Sequence, residues 1–200
     1  MIRRLPQADV TARAVANPLR GLTYDSAYVA NAIADVEGPV VLVGHSYAGA
    51  VIGAASAQAQ NVTALVYVAA FVPDEGESPF ELTARFAESD LGNSLRPSSY
   101  PLPEGGTALE MYMSDDAFRH VLAADLPEDV TSVLVVSQRP VAANALGEKS
   151  GPVGWKSLPS WHAIATADHA LNPEVQRFGA KRAGSTTVEI DGSHLIHVTY

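Results

Sequence analysis

The sequence predicts an α/β fold in which a mostly parallel sheet is flanked by helices. Three short apolar runs are rich in β-branched residues, which is typical of strands buried on both faces of a parallel sheet: residues 39–43, 62–68 and 161–166. Helical patterns separate these runs, and this alternation indicates right-handed crossover connections. With 200 residues and no cysteine, the chain can bury a core without disulfide bonds and offers no thiolate for catalysis or metal binding.

Weaker signals complete the sheet and its helices. Two further strands are predicted at residues 11–15 and 186–190. A helix is predicted after an N-cap at Asp25, and a helix of small residues is predicted at residues 47–58. Another helix begins after Asn172, because proline at the first helical position follows it.

Residues 73–158 interrupt this alternation and are predicted to form a mainly helical cap over one end of the sheet. Capping signals begin helices at Ser78 and Ser114. Residues 95–106 hold three prolines and two glycines and are predicted to be a loop. Residues 127–146 are predicted to be helical, although the apolar run at 133–136 fits a strand equally well. We assign residues 1–200 to one domain that contains this cap.

The charge balance limits the classes of binding partner. Twenty-two acidic residues outnumber thirteen basic ones, which gives a formal net charge of −9. An acidic chain is a poor binder of nucleic acid or anionic lipid. Residues 1–9 lack the apolar run of a targeting signal, and no stretch reaches the roughly 18 apolar residues of a membrane span. We therefore expect a cytoplasmic protein without nucleic-acid or membrane partners.

The strongest local motif is a strand that runs into a sharp turn and then a helix. Residues 40–43 are apolar, and Gly44, Ser46 and Ala48 follow in the spacing of a nucleophile elbow. The small residues two before and two after Ser46 permit the strained turn that exposes its hydroxyl. The backbone N–H of Tyr47, at the start of the helix, would then face a developing oxyanion.

A nucleophilic serine needs a base and an orienting carboxylate, in the chain order Ser, Asp, His for this topology. Asp168 lies just past a late strand, and His194 lies in the loop after the next one, so parallel pairing brings both to the edge that carries Ser46. Other candidates are the acid Asp74 and two nearby histidines. These are His169 and His197, whereas His45, His120 and His162 are assigned structural roles.

With these motifs the chain resembles the α/β-hydrolase superfamily, and within it the bacterial hydrolases and esterases related to plant methylesterases and hydroxynitrile lyases. The resemblance rests on residues 44–49 (GHSYAG), 167–174 (ADHALNPE) and 192–194 (GSH), and residues 68–77 are similar to the family's entry into its cap. It implies a serine hydrolase that cleaves a small carboxylic ester through an acyl-enzyme and needs no cofactor. Ser46 would be the nucleophile, Asp168 the acid and His194 the base.

The same resemblance implies that part of the family's fold is lacking. Family members open with further strands and a His-Gly motif that supplies the second oxyanion donor, but this sequence holds no His-Gly dipeptide. Residues 11–17 then match the family's fourth strand, and the final helix after His194 is also lacking. We expect an incomplete sheet whose open edge favours association into a homo-oligomer.

Two other functions therefore stay open. A hydroxynitrile lyase would use the same triad without an acyl-enzyme. A non-catalytic protein on a hydrolase scaffold would follow from the missing oxyanion donor, since losing one such donor typically costs roughly a hundred- to thousand-fold in rate.

The cap offers candidates for an apolar substrate pocket above Ser46. The substrate-binding candidates are Met111, Tyr112 and Phe118, and the same wall could include Phe80, Phe86, Met113 and Leu122. The alternative is that these side chains pack the cap's own core. No cluster has metal-ligand spacing along the sequence, so no metal is expected.

Overall fold

The computed structural model describes residue 5 and residues 10–199 of the chain. In chain order, the helices and strands of these residues are α1 (Leu22–Ala34), β1 (Val40–His45), α2 (Tyr47–Ser56), β2 (Val62–Val68), α3 (Pro79–Thr83), β3 (Leu95–Pro101), β4 (Thr107–Met113), α4 (Asp115–Leu122), α5 (Glu128–Ser137), β5 (Val141–Ala142), β6 (Ser160–Ala165), α6 (Pro173–Arg182), β7 (Thr186–Ile190) and α7 (Ile196–Thr199).

Four strands form the central parallel sheet, in the order β1-β2-β6-β7. All four were predicted from the sequence, two of them at their observed bounds. Because the strands are parallel, the loops after β1, β6 and β7 meet at the carboxyl edge of the sheet. This edge therefore collects the predicted nucleophile, acid and base.

The strand predicted at residues 11–15 is wrong, because residues 10–19 form neither helix nor strand and are largely exposed. Within the described residues β1 consequently pairs on one side only, with β2. Apolar side chains on one face of the sheet are exposed as well, in register across neighbouring strands: Val41, Val43, Trp161 and Val188. The expectation of an incomplete sheet thus holds for the described part of the chain.

The other face of the sheet carries the main core. Helix α2 is almost entirely buried, and its small residues let it lie close to β1 and β2. The helices are short, α1 being the longest with 13 residues, and none in the described chain has the length and apolar character needed to cross a membrane.

The sequence predicts that Asp25 caps α1, and this prediction is wrong. The helix begins three residues earlier, after Gly21 at φ 156°. Asp25 lies in the first turn, fully buried, where its carboxylate accepts hydrogen bonds from the Arg20 amide (3.0 Å) and the Tyr47 hydroxyl (2.9 Å). A polar residue near a helix start suggests a cap, whereas the Asp25 side chain joins α1 to α2.

The segment between β2 and β6 combines helices with a three-stranded antiparallel sheet of order β3-β4-β5. The loop predicted at residues 95–106 is wrong, because β3 and β4 form a hairpin there. Two of its prolines, Pro97 and Pro101, lie in β3, which is an edge strand where a missing N–H is tolerated. The apolar run at 133–136 belongs to α5, so the strand alternative is wrong.

Candidate active site

Ser46 lies at the turn between β1 and α2 in a strained backbone conformation, with φ 54° and ψ −124°. A β-carbon on Gly44 would lie 2.5 Å from the Ala48 carbonyl oxygen, and one on Gly49 would lie 2.4 Å from the Phe71 carbonyl oxygen. Both separations are too short for any side chain. The two glycines are therefore needed for the turn and for the close approach of α2 to the chain after β2.

Asp168 follows β6 and is held by backbone and side-chain donors. Its Oδ1 accepts the amides of Ala170 and Leu171, both at 2.8 Å. Its Oδ2 accepts Gln176 Nε2 at 2.8 Å and lies 2.7 Å from His194 Nδ1. The carboxylate is buried, and this set of donors fixes its orientation.

His194 is buried in the loop between β7 and α7 and contacts the carboxylate through Nδ1. An Nδ1–H donated to Asp168 would leave Nε2 free to accept a proton, as a general base requires. Ser46 Oγ makes no hydrogen bond among the described residues. Within the described residues a contact of 2.7 Å thus joins His194 to Asp168, and no hydrogen bond joins Ser46 Oγ to either of them.

Two more histidines lie near His194. The His45 ring lies 4.5 Å from the His194 ring and 4.3 Å from the His197 ring, between centroids, and His45 Nε2 is 2.9 Å from the His194 carbonyl oxygen. Burial, together with the two neighbouring imidazoles, lowers the pKa of His45 well below its usual value. Burial likewise lowers the pKa of His197 to about 4. Both rings are therefore neutral near pH 7 and add no positive charge beside His194.

Tyr47 is the first residue of α2 and directly follows Ser46. The first N–H groups of a helix have no intrahelical acceptor, so the Tyr47 amide has no partner within α2. Its hydroxyl is not available for chemistry, because it donates to Asp25 at 2.9 Å. Burial, with the adjacent Asp25 carboxylate, raises the pKa of the Tyr47 phenol.

Two of the alternative site residues make contacts away from the Asp168–His194 pair. Asp74 is half-exposed and forms an ion pair with Lys156 at 2.6 Å. His169 is exposed, and its Nδ1 lies 3.1 Å from Asp90 Oδ2. His197 is the one alternative near His194, through the His45 ring.

The cap candidates fall into two groups. Phe118 is buried in an apolar cluster with Met113, Val121 and Ala170, while Met111 and Tyr112 lie half-buried on β4. Phe80 and Phe86, in contrast, line a cavity of about 520 Å³ together with Phe71. The Phe71 amide donates to the Ser46 carbonyl oxygen at 3.2 Å, which puts this cavity beside the elbow.

Sequence reasoning missed Gln176, a positioning residue on α6. Its side chain is fully buried. It donates to Asp168 Oδ2 and to the Leu171 carbonyl oxygen, and its Oε1 accepts the Ala165 amide at 3.0 Å. The available signal was a polar residue beside the apolar Val175 on the buried side of α6.

Comparisons with known proteins agree with this architecture. A family model described as the alpha/beta hydrolase family matches residues 3–200. Methylesterase 2 of Arabidopsis thaliana is 26% identical over 150 residues, which cover 70% of this chain and 55% of that protein. Methylesterase 8 of the same plant is 27% identical over 146 residues, covering 70% and 50%. The chain thus spans about half the length of these curated relatives.

Solved structures are similar at lower identity. A polyneuridine aldehyde esterase matches with a TM-score of 0.72 at 18% identity, covering 90% of this chain and 74% of that one. A pyrethroid hydrolase from Sphingobium faniae JZ-2 matches with a TM-score of 0.64 at 20% identity, covering 87% and 70%. At such identities the likeness concerns the fold.

Proposed function

Because the chain belongs to the α/β-hydrolase family, we propose that it is a serine hydrolase that cleaves a small carboxylic ester. Its resemblance to the plant methylesterases, drawn from three short motifs, is confirmed by the comparisons. The observation that carries the proposal is the contact of 2.7 Å between His194 Nδ1 and Asp168 Oδ2 at the same sheet edge as the strained Ser46.

In the proposed reaction, Ser46 Oγ attacks the ester carbonyl carbon while His194 Nε2 takes the hydroxyl proton. The tetrahedral oxyanion accepts a hydrogen bond from the Tyr47 amide. Collapse of this intermediate breaks the ester C–O bond, and the imidazolium gives its proton to the leaving alcohol. Water then attacks the acyl-serine with His194 again as the base, which releases the carboxylic acid and restores Ser46.

Asp168 has a supporting role in this scheme. It fixes the tautomer with the proton on Nδ1 and stabilises the imidazolium that forms during each half of the reaction. Gln176 is a positioning residue, since it donates to Asp168 Oδ2, the same oxygen that contacts His194 Nδ1. The cavity beside Phe71, Phe80 and Phe86 is the proposed place for an apolar part of the substrate.

The test is Ser46→Ala, assayed with a chromogenic short-chain ester and a fluorophosphonate probe. We expect the wild-type protein to hydrolyse the ester and to take up one probe per chain, and Ser46→Ala to do neither. Ser132→Ala is the matched control, because Ser132 is exposed on α5 and bonds only the Asp129 carbonyl oxygen. Equal turnover by Ser46→Ala and wild type would refute the proposal.

A non-catalytic role is the second candidate, and it is favoured by the missing hydrogen bond between Ser46 Oγ and His194. Because catalytic hydrogen bonds are often loose before substrate binds, probe uptake and ester turnover separate the two candidates. A folded wild-type protein that neither turns over esters nor takes up the probe would support the scaffold role. Cyanohydrin cleavage without ester hydrolysis would instead indicate the lyase chemistry.

A further inference from the structure

Three side chains distant in sequence converge on the surface where residues 73–158 meet the loop after β6. Asp90 lies in the loop before β3, His120 lies on α4, and His169 directly follows Asp168. Asp90 Oδ2 is 3.2 Å from His120 Nε2 and 3.1 Å from His169 Nδ1, and the two imidazole centroids are 4.6 Å apart. One carboxylate oxygen and two ring nitrogens thus face a common point, all within 4.8 Å of one another.

We propose that Asp90, His120 and His169 form a binding site for a divalent transition-metal ion such as Zn²⁺. Zinc binds imidazole nitrogen and carboxylate oxygen at about 2.0–2.2 Å in tetrahedral sites, so neighbouring donors lie roughly 3.3 Å apart. The two contacts to Asp90, at 3.2 and 3.1 Å, are already close to that separation. Small side-chain rotations therefore suffice to place an ion between the three donors.

The donor set selects the class of ion. Imidazole suits zinc, copper, nickel and cobalt, whereas calcium and magnesium prefer oxygen donors alone. Three protein donors leave at least one coordination position for water. Because all three side chains are exposed, a metal can enter without opening the fold. The sequence did not reveal this site, because its ligands come from three separate segments and no pair has ligand spacing.

Bound metal would join the cap to the loops that carry the predicted acid and base. The Asp90 amide already donates to the His169 carbonyl oxygen at 3.0 Å, and Ser89 Oγ donates to the Ala170 carbonyl oxygen at 2.8 Å. At the end of α4, the Leu122 carbonyl oxygen accepts the Leu195 amide and Ser193 Oγ, both at 3.0 Å. An ion bound by His120 and His169 would therefore connect α4 to the loop that contains Asp168. Helix α4 already bonds the loop that contains His194, through the Leu122 carbonyl oxygen.

The experiment measures metal binding to tag-free, chelator-treated protein and does not depend on ester turnover. Zn²⁺ is titrated by equilibrium dialysis, and Co²⁺ is added to follow the visible absorption of a low-coordinate cobalt site. We expect one ion per chain and a rise of roughly 5–10 °C in the unfolding midpoint at a hundred-fold excess of Zn²⁺ over its dissociation constant. His120→Asn, His169→Asn and Asp90→Asn should each weaken binding by at least about tenfold.

The control is Asp129→Asn, which removes an exposed carboxylate from α5 and should bind the ion like wild type. Circular dichroism establishes that each variant is folded before its binding is interpreted. Failure of wild-type protein to bind Zn²⁺ or Co²⁺ overturns the proposal. Binding that survives in a His120→Asn/His169→Asn double variant also overturns it, because the ion would then lie elsewhere, for example among His45, His194 and His197.

Discussion

His162 allows the energetic effect of a buried histidine to be measured through pH. It is fully buried on β6 and stacks on Tyr67, with 5.5 Å between ring centroids. Neither of its ring nitrogens has a hydrogen-bond partner among the described residues. Burial lowers the pKa of His162 from 6.5 to about 4. Protonation therefore opposes folding, because the imidazolium is better hydrated in the unfolded chain.

The sign and size of the pH effect on stability follow from the difference between the pKa of His162 in the unfolded and in the folded chain. Between pH 6.5 and about 4 the unfolded chain binds a proton that the folded protein does not, so the free energy of unfolding falls as the pH falls. The shift of about 2.5 pKa units corresponds to about 3 kcal/mol in total. About 2 kcal/mol of this is lost between about pH 7.5 and pH 5.

The measurement compares wild type with His162→Leu by urea unfolding at these two pH values. The variant should lose about 2 kcal/mol less than wild type on acidification, and at about pH 7.5 it should be at least as stable, since two unpaired buried nitrogens are removed. His45 and His197 are present in both proteins, so their contributions cancel. If acidification lowers the free energy of unfolding equally in the two proteins, the burial effect assigned to His162 is refuted.

Two further predictions concern the site. Asp168→Asn should lower kcat by roughly 10³–10⁴-fold with the fold retained by circular dichroism. The Asn oxygen would keep the two backbone amides that Asp168 Oδ1 accepts, which puts an NH₂ donor where the His194 Nδ1–H needs an acceptor. Near-normal kcat would contradict the role of the carboxylate. Gly49→Ala should lower the free energy of unfolding by about 2 kcal/mol or more, because its β-carbon would lie 2.4 Å from the Phe71 carbonyl oxygen. Gly151→Ala, which meets no atom within 4 Å, is its control in urea unfolding, and equal stabilities of the two variants would contradict the packing argument.

The central sheet could be predicted because each of its strands is a short run rich in β-branched residues, which is a local signal. Residues 62–68 and 186–190 form strands at the predicted bounds. Parallel topology then brings the loops after β6 and β7 together, which is why Asp168 and His194 could be paired across 26 residues. The predicted strand at residues 11–15 failed, since a local apolar pattern does not provide a neighbouring strand to bond with.

The cap was harder to predict because tertiary pairing overrides its local signals. Three prolines and two glycines in residues 95–106 resemble a loop, yet β3 tolerates proline as an edge strand beside β4. The helix cap predicted at Asp25 is wrong for a similar reason, since its hydrogen-bond partner Tyr47 is 22 residues away. Neither partner can be identified before the fold is known.

The contacts around the three proposed catalytic residues divide into two sets that depend on different parts of the molecule. Asp168 and His194 are held by backbone amides, by Gln176 on α6 and by the inner strand β6. Ser46 depends on the turn after β1, the strand that pairs on one side only within the described chain. The acid–base pair can therefore persist whether or not the serine is aligned with it. For this reason covalent labelling of Ser46 is a more direct test of activity than the geometry of the buried pair.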